Sequence, residues 1–74
     1  MSQVARDEAV LRDLERDLCE LEKQYGMSSE EFFQRWQAGK MADTADFMDW
    51  NALYRMANEV RTRLKLLRGE VEAA

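Results

Sequence analysis

Apolar residues recur twice in this chain on an alternating spacing of three and four, and no proline interrupts either run. The first series is Leu11, Leu14, Leu18, Leu21 and Tyr25; the second is Trp50, Leu53, Ala57, Val60, Leu64 and Leu67. A repeat averaging about 3.5 residues lays its members along one narrow seam of a helix, the a/d seam of a coiled coil. Such a seam cannot be left wet, so each arm requires a facing helix. Arg, Asp, Glu and Lys occupy most of the positions beside the first seam, as solvated flanks do. The chain is expected to be all-α.

Local signals bound the elements. Ser2 can cap the first arm and Gly26 can end it in a left-handed turn, which places a helix at residues 3 to 25. Ser28-Ser29-Glu30-Glu31 reads as a capping box, with Ser28 as cap and Glu31 reaching back. A short helix is expected there, at residues 29 to 38, carrying Phe32, Phe33 and Trp36 until Gly39 stops it. Asp43 or Thr44 can cap the second long arm and Gly69 can end it, for a helix at residues 44 to 68 and a frayed tail at 69 to 74. Charge agrees with this polarity. Asp43, Asp46 and Asp49 lie in the opening turns, and Arg61, Arg63, Lys65 and Arg68 in the closing ones, as the helix dipole favours.

Folding the two similar arms antiparallel lets each seam cover the other. One register pairs Tyr25 with Leu53, Leu21 with Ala57, Leu18 with Val60, Leu14 with Leu64 and Leu11 with Leu67. Asp7 then faces Val71, so fraying is expected beyond Leu11 and Leu67. All seven aromatic residues fall between Tyr25 and Tyr54, at the closed end of this hairpin. The expected architecture is one antiparallel helical hairpin, a coiled-coil stalk whose short connecting helix forms an aromatic head.

Composition excludes several functions. Seventy-four residues make one thin domain, which needs regular packing, a staple or a partner. With no histidine and one cysteine, neither a zinc site nor an internal disulfide is expected. A net charge of −4 opposes nucleic-acid binding. No apolar run approaches the roughly 20 residues of a membrane span. Early Asp7 and Glu8, and a lone thiol, make a cytoplasmic location the expectation.

Catalytic chemistry finds little support. Asp43, Asp46 and Asp49, with Glu30 or Glu31, would be the carboxylates of a Mg²⁺-dependent nucleotide hydrolase. Their spacing drifts around a helix instead of converging, and the helix dipole already accounts for acids at that end. The basic stretch Arg55, Arg61, Arg63, Lys65 and Arg68 reads as a solvated face opposite an acidic helix. Cys19 has no activating group and reads as an inert surface thiol. No catalytic residue, cofactor site or metal site is assigned.

The stretch Tyr25-Gly26-Met27-Ser28-Ser29-Glu30-Glu31-Phe32, followed by Trp36, Gly39, Asp46-Phe47, Trp50 and Tyr54, resembles a group of short bacterial helical proteins. These carry a Tyr-Gly-Met-Ser-type turn between charged helices, and their genes often look like the smaller member of a toxin–antitoxin pair. The resemblance covers roughly residues 11 to 67. It implies an antitoxin-like protein that binds a toxin-like partner, without catalytic residues to carry over.

The expected function is thus protein–protein interaction, antitoxin-like or adaptor, as a homodimer or hetero-oligomer. Contact is expected through the head or the open side of the stalk. Most of the rings are expected to form core, whereas methionine also suits adaptable binding surfaces. Candidate partner-binding residues are Phe33, Trp36, Phe47, Met48, Tyr54 and Met56. The alternative is a self-associating structural protein, two hairpins making a four-helix bundle.

Overall fold

The computed structural model describes residues 2–69 as three helices: α1 (Gln3–Tyr25), α2 (Ser29–Gln37) and α3 (Ala45–Leu67). The expected ends agree to within a residue, because the capping side chains do what their chemistry predicts. Ser2, Ser28 and Thr44 accept hydrogen bonds from the backbone N–H groups of Ala5, Glu31 and Phe47, so each helix begins with a satisfied donor. The first arm stops at Gly26, whose φ of 68° is readily reached only without a Cβ, and whose N–H donates to the Glu22 carbonyl. One detail of the capping box differs. The Glu31 carboxylate takes a hydrogen bond from Arg35 one turn along its own helix rather than reaching back. Beyond Gly69 the expected tail lies outside the described residues, as does Val71.

The hairpin closes as expected, with α1 packed antiparallel on α3 and α2 laid across the closed end. Its buried core consists of Leu14 and Leu18 of α1, Phe32 of α2, and Trp50, Ala57, Val60 and Leu64 of α3. Leu11, Leu21, Tyr25 and Leu53 are half-buried against it.

The register is shifted from the expected one. Tyr25 was to lie beside Leu53, yet its hydroxyl donates to Asp46 and its ring meets Phe47 and Trp50 at 5.0 and 5.7 Å. At the other end Asp7 meets Arg63, and the Val71 expected beside it lies outside the described residues. The slip is not uniform: Tyr25 with Asp46 and Asp7 with Arg63 lie about a heptad from the expected pairing, whereas Glu8 with Arg68 and Glu15 with Arg61 lie within two residues of it.

That slip removes the expected fraying below Leu11 and leaves Leu67 exposed instead. Val4 packs against the core, and Asp7 is only 2% exposed although it stands on the seam. A buried carboxylate must be paired. Two guanidinium nitrogens of Arg63 donate to the two carboxylate oxygens at 2.7 and 3.0 Å, and Gln3 donates to Oδ1 at 2.9 Å. The hydrogen bonds from Arg63 hold the Asp7 carboxyl below the ordinary aspartate range, outweighing the burial that pushes it up; Gln3 and Arg6 act in the same sense.

A depressed carboxyl stabilises the fold above its unfolded-state value, and that contribution is lost as pH falls through the folded value. Asp7→Asn is therefore expected to melt below the wild type at neutral pH, with the gap shrinking on acidification below about pH 4. Thermal melts of both chains across that range check this. A gap independent of pH would show that the charge of Asp7 does not contribute.

Candidate protein-binding surfaces

The head is built around two parallel rings. Phe32 of α2 stacks on Trp50 of α3 with centroids 4.1 Å apart and planes within 2°, and both are fully buried. Trp50 carries a polar edge that must also be satisfied inside the core. Its indole N–H donates to Ser29 Oγ at 2.9 Å, and the Ser29 N–H in turn donates to the Glu22 carboxylate at 2.8 Å. One buried serine thereby ties all three helices together. The sequence treats Ser29 as part of a surface turn, and no local signal marks it otherwise.

Of the six expected partner-binding residues, four are partly consumed by this core. Phe33, Trp36, Phe47 and Tyr54 are half-buried and packed against it. Trp36 and Phe47 flank Phe32 at 5.8 and 5.5 Å. Phe33 leans on Tyr54 at 4.9 Å, and the Arg55 guanidinium lies 5.6 Å over its ring. Phe33 is thus held between α2 and α3 and is not a free rim group. The two methionines differ: Met48 is 56% and Met56 47% exposed. Both stand on α3, eight residues apart and so within about 80° of each other around the helix, at different heights along it. Met48 adjoins Phe47 at the head, and Met56 precedes Ala57 on a flank of the stalk.

The two flanks of the stalk are unlike. On one, Glu8, Glu15 and Glu22 follow each other at seven-residue intervals along α1, and Tyr54, Arg61 and Arg68 do so along α3. Glu8 pairs with Arg68 and Glu15 with Arg61 at 2.9 Å, while Glu22 and Tyr54 meet Ser29 and Phe33 of α2. This flank also holds a cleft of about 300 Å³, floored by Leu18 and bordered by Glu15, Glu22, Glu30, Tyr54 and Arg61. The opposite flank carries Val10, Asp17 and Gln24 on α1, and Asp49, Met56 and Arg63 on α3, at the same seven-residue spacing. Among the described residues, the Arg63 link to Asp7 is the one ion pair that crosses between the helices there.

The basic stretch is largely occupied within the chain. Arg61, Arg63 and Arg68 pair with Glu15, Asp7 and Glu8, and Arg55 covers Phe33. Asp46 accepts the Tyr25 hydroxyl, which raises the tyrosine's pKa through that hydrogen bond and, secondarily, through burial. Among the described residues no group of three or more His, Cys, Asp or Glu is placed to hold a metal ion. Cys19 is exposed and unbridged. Among the same residues no helix is long and apolar enough to cross a membrane.

Comparison of the chain with protein-family models, curated proteins and solved structures finds no match.

Proposed function

We propose that this protein is a non-catalytic protein-interaction module, antitoxin-like or adaptor, that binds a partner protein through the rim of its aromatic head. The observation that carries this reading is the contrast inside the head. Phe32 and Trp50 form a closed centre, while Trp36 and Phe47 beside them stay half-buried and Met48 stands open next to Phe47. Aromatic rings with one face already fixed lose little freedom on binding, and methionine adapts its shape to a second surface. The partner suited to such a rim presents an apolar patch of its own. The resemblance to antitoxin-like proteins favours a toxin-like protein in that role.

Met48→Asp tests the head directly, because Met48 is exposed and its loss takes little from the core. The melting temperature is expected to stay close to that of the wild type, as surface changes rarely alter stability by more than about 0.5 kcal/mol. Affinity for the protein retained by the tagged wild-type chain is expected to fall at least about tenfold, as for an interface anchor. Lys23→Asp, on the surface of the stalk, serves as the charge control and should bind normally. Binding that survives Met48→Asp, or that is lost equally in Lys23→Asp, overturns the assignment to the head.

A further inference from the structure

The stalk flank on the side of α2 bears a ladder at seven-residue steps, and its third rung is unlike the other two. Glu8 pairs with Arg68 and Glu15 with Arg61, so each of these carboxylates meets a guanidinium across the helices. One heptad further on, the pattern sets Glu22 opposite Tyr54, which brings a ring and no charge. Glu22 is half-buried; one of its oxygens takes the Ser29 N–H at 2.8 Å, and no cation of the described residues pairs with it. The cleft of about 300 Å³ opens at this rung, with Leu18 as its floor and Tyr54 and Glu30 at its sides. We propose that the cleft binds an alkylguanidinium group, the chemistry of an arginine side chain, held by Glu22 and Glu30 against the Tyr54 ring. This site is separate from the rim of Trp36, Phe47 and Met48, none of which lines the cleft.

The lining fixes the sign and the shape of the occupant. Three carboxylates, Glu15, Glu22 and Glu30, stand against the single guanidinium of Arg61, which Glu15 already engages. The positive end of α2 offsets part of the charge on Glu22 and Glu30 but brings no full cation. Neighbouring cations are directed elsewhere: Arg55 lies over Phe33 and bonds Asn51, and Lys23, next to Glu22 in sequence, does not line the cleft. A cation is therefore favoured. A metal ion is not, because among the described residues no three carboxylates approach closely enough to hold one. They frame a space instead of converging on a point. Leu18 is buried beneath that space, and Tyr54 lines it while packing on Phe33, so both suit an alkyl stem. A volume of about 300 Å³ is at the small end of ligand pockets and suits one group the size of a side chain. Guanidinium fits better than ammonium, since its fork can bond a carboxylate through two N–H groups while its flat face lies on an aromatic ring. The other two rungs use that same group, in Arg61 and Arg68.

Amide NMR of the isotope-labelled full chain, titrated with N-ethylguanidinium chloride against equal sodium chloride, tests the site. Saturable shifts in the millimolar range are expected, centred on Glu22, Ser29, Glu30 and Tyr54. Glu22→Gln combined with Glu30→Gln is expected to weaken binding at least about tenfold, because charge-assisted bonds become neutral ones. Glutamine keeps an acceptor for the Ser29 N–H, so the melting temperature should stay near that of the wild type. Tyr54→Leu keeps an apolar wall without a ring and is expected to weaken binding about threefold or more. The capped peptide acetyl-Gly-Arg-Gly-amide separates two sources of the same chemistry. Its binding at the same amides assigns the group to an arginine of a protein chain, and its exclusion assigns it to a free small molecule. Shifts no larger than those from sodium chloride overturn the proposal, as do shifts unchanged in the double glutamine variant. Equal affinity for n-propylammonium overturns the choice of guanidinium.

Discussion

Trp50→Ala is expected to leave the chain unfolded, or nearly so, at room temperature. Trp50 is fully buried and packs on three other rings of the head: Phe32 at 4.1 Å, Tyr25 at 5.7 Å and Phe47 at 6.3 Å. Truncating a buried tryptophan to alanine costs about 3–5 kcal/mol through lost transfer energy and the cavity left behind. Native domains are stable by only about 5–15 kcal/mol, and a chain this short sits at the low end. The substitution also removes the donor that Ser29 Oγ accepts, loosening the one residue bonded to all three helices. Trp50→Phe separates the two losses. It keeps most of the ring stacking but not the N–H, so a smaller drop, on the order of 1–3 kcal/mol, is expected. Urea titrations followed by circular dichroism measure both. If Trp50→Ala melts like the wild type, the stacked pair is not the centre of the fold.

Leu18→Asp should be as damaging, for a different reason. Leu18 is buried midway along α1, facing α3 and flooring the cleft beneath α2. An aspartate there strands a charge among leucines, with a penalty of several kcal/mol unless it finds a partner or takes up a proton. Asp7 shows what a partner requires: Arg63 and Gln3 satisfy it at the end of the stalk. Arg61 lines the same cleft as Leu18 but is already engaged by Glu15. The variant is expected to lose its cooperative melt at neutral pH and to regain part of it near pH 4, where the carboxyl protonates. A wild-type melting curve at neutral pH would show that position 18 opens to water.

Both substitutions strike places where several helices meet, and there the sequence and the structure divide their contributions. The three helices, their caps at Ser2, Ser28 and Thr44, and the hairpin itself follow from residues close in sequence. Capping bonds span three residues and a seam repeats every seven, so neighbours in the chain state them fully. Gathering all seven rings at one end was legible for the same reason, since an antiparallel fold carries adjacent segments to the same end.

What the chain order left open is whatever depends on two helices choosing a level. The 3-4 repeat is nearly unchanged by a slip of one heptad, so the seam alone cannot distinguish Leu53 from Asp46 as the neighbour of Tyr25. Contacts between α1 and α3 make that choice, Tyr25 with Asp46 at one end and Arg63 with Asp7 at the other, and the second turns Asp7 from a fraying residue into a buried ion-pair member. The division of Phe32, Phe33 and Trp36 between centre and rim likewise depends on where α2 settles. Its position follows from Trp50 reaching Ser29, a contact across 21 positions of sequence. Sequence by itself determined which surfaces are apolar. Only the tertiary structure decided which of them the chain covers with its own helices, because burial depends on what comes to lie opposite, and that leaves Met48 at the head and Val10 with Met56 on the stalk open to other molecules.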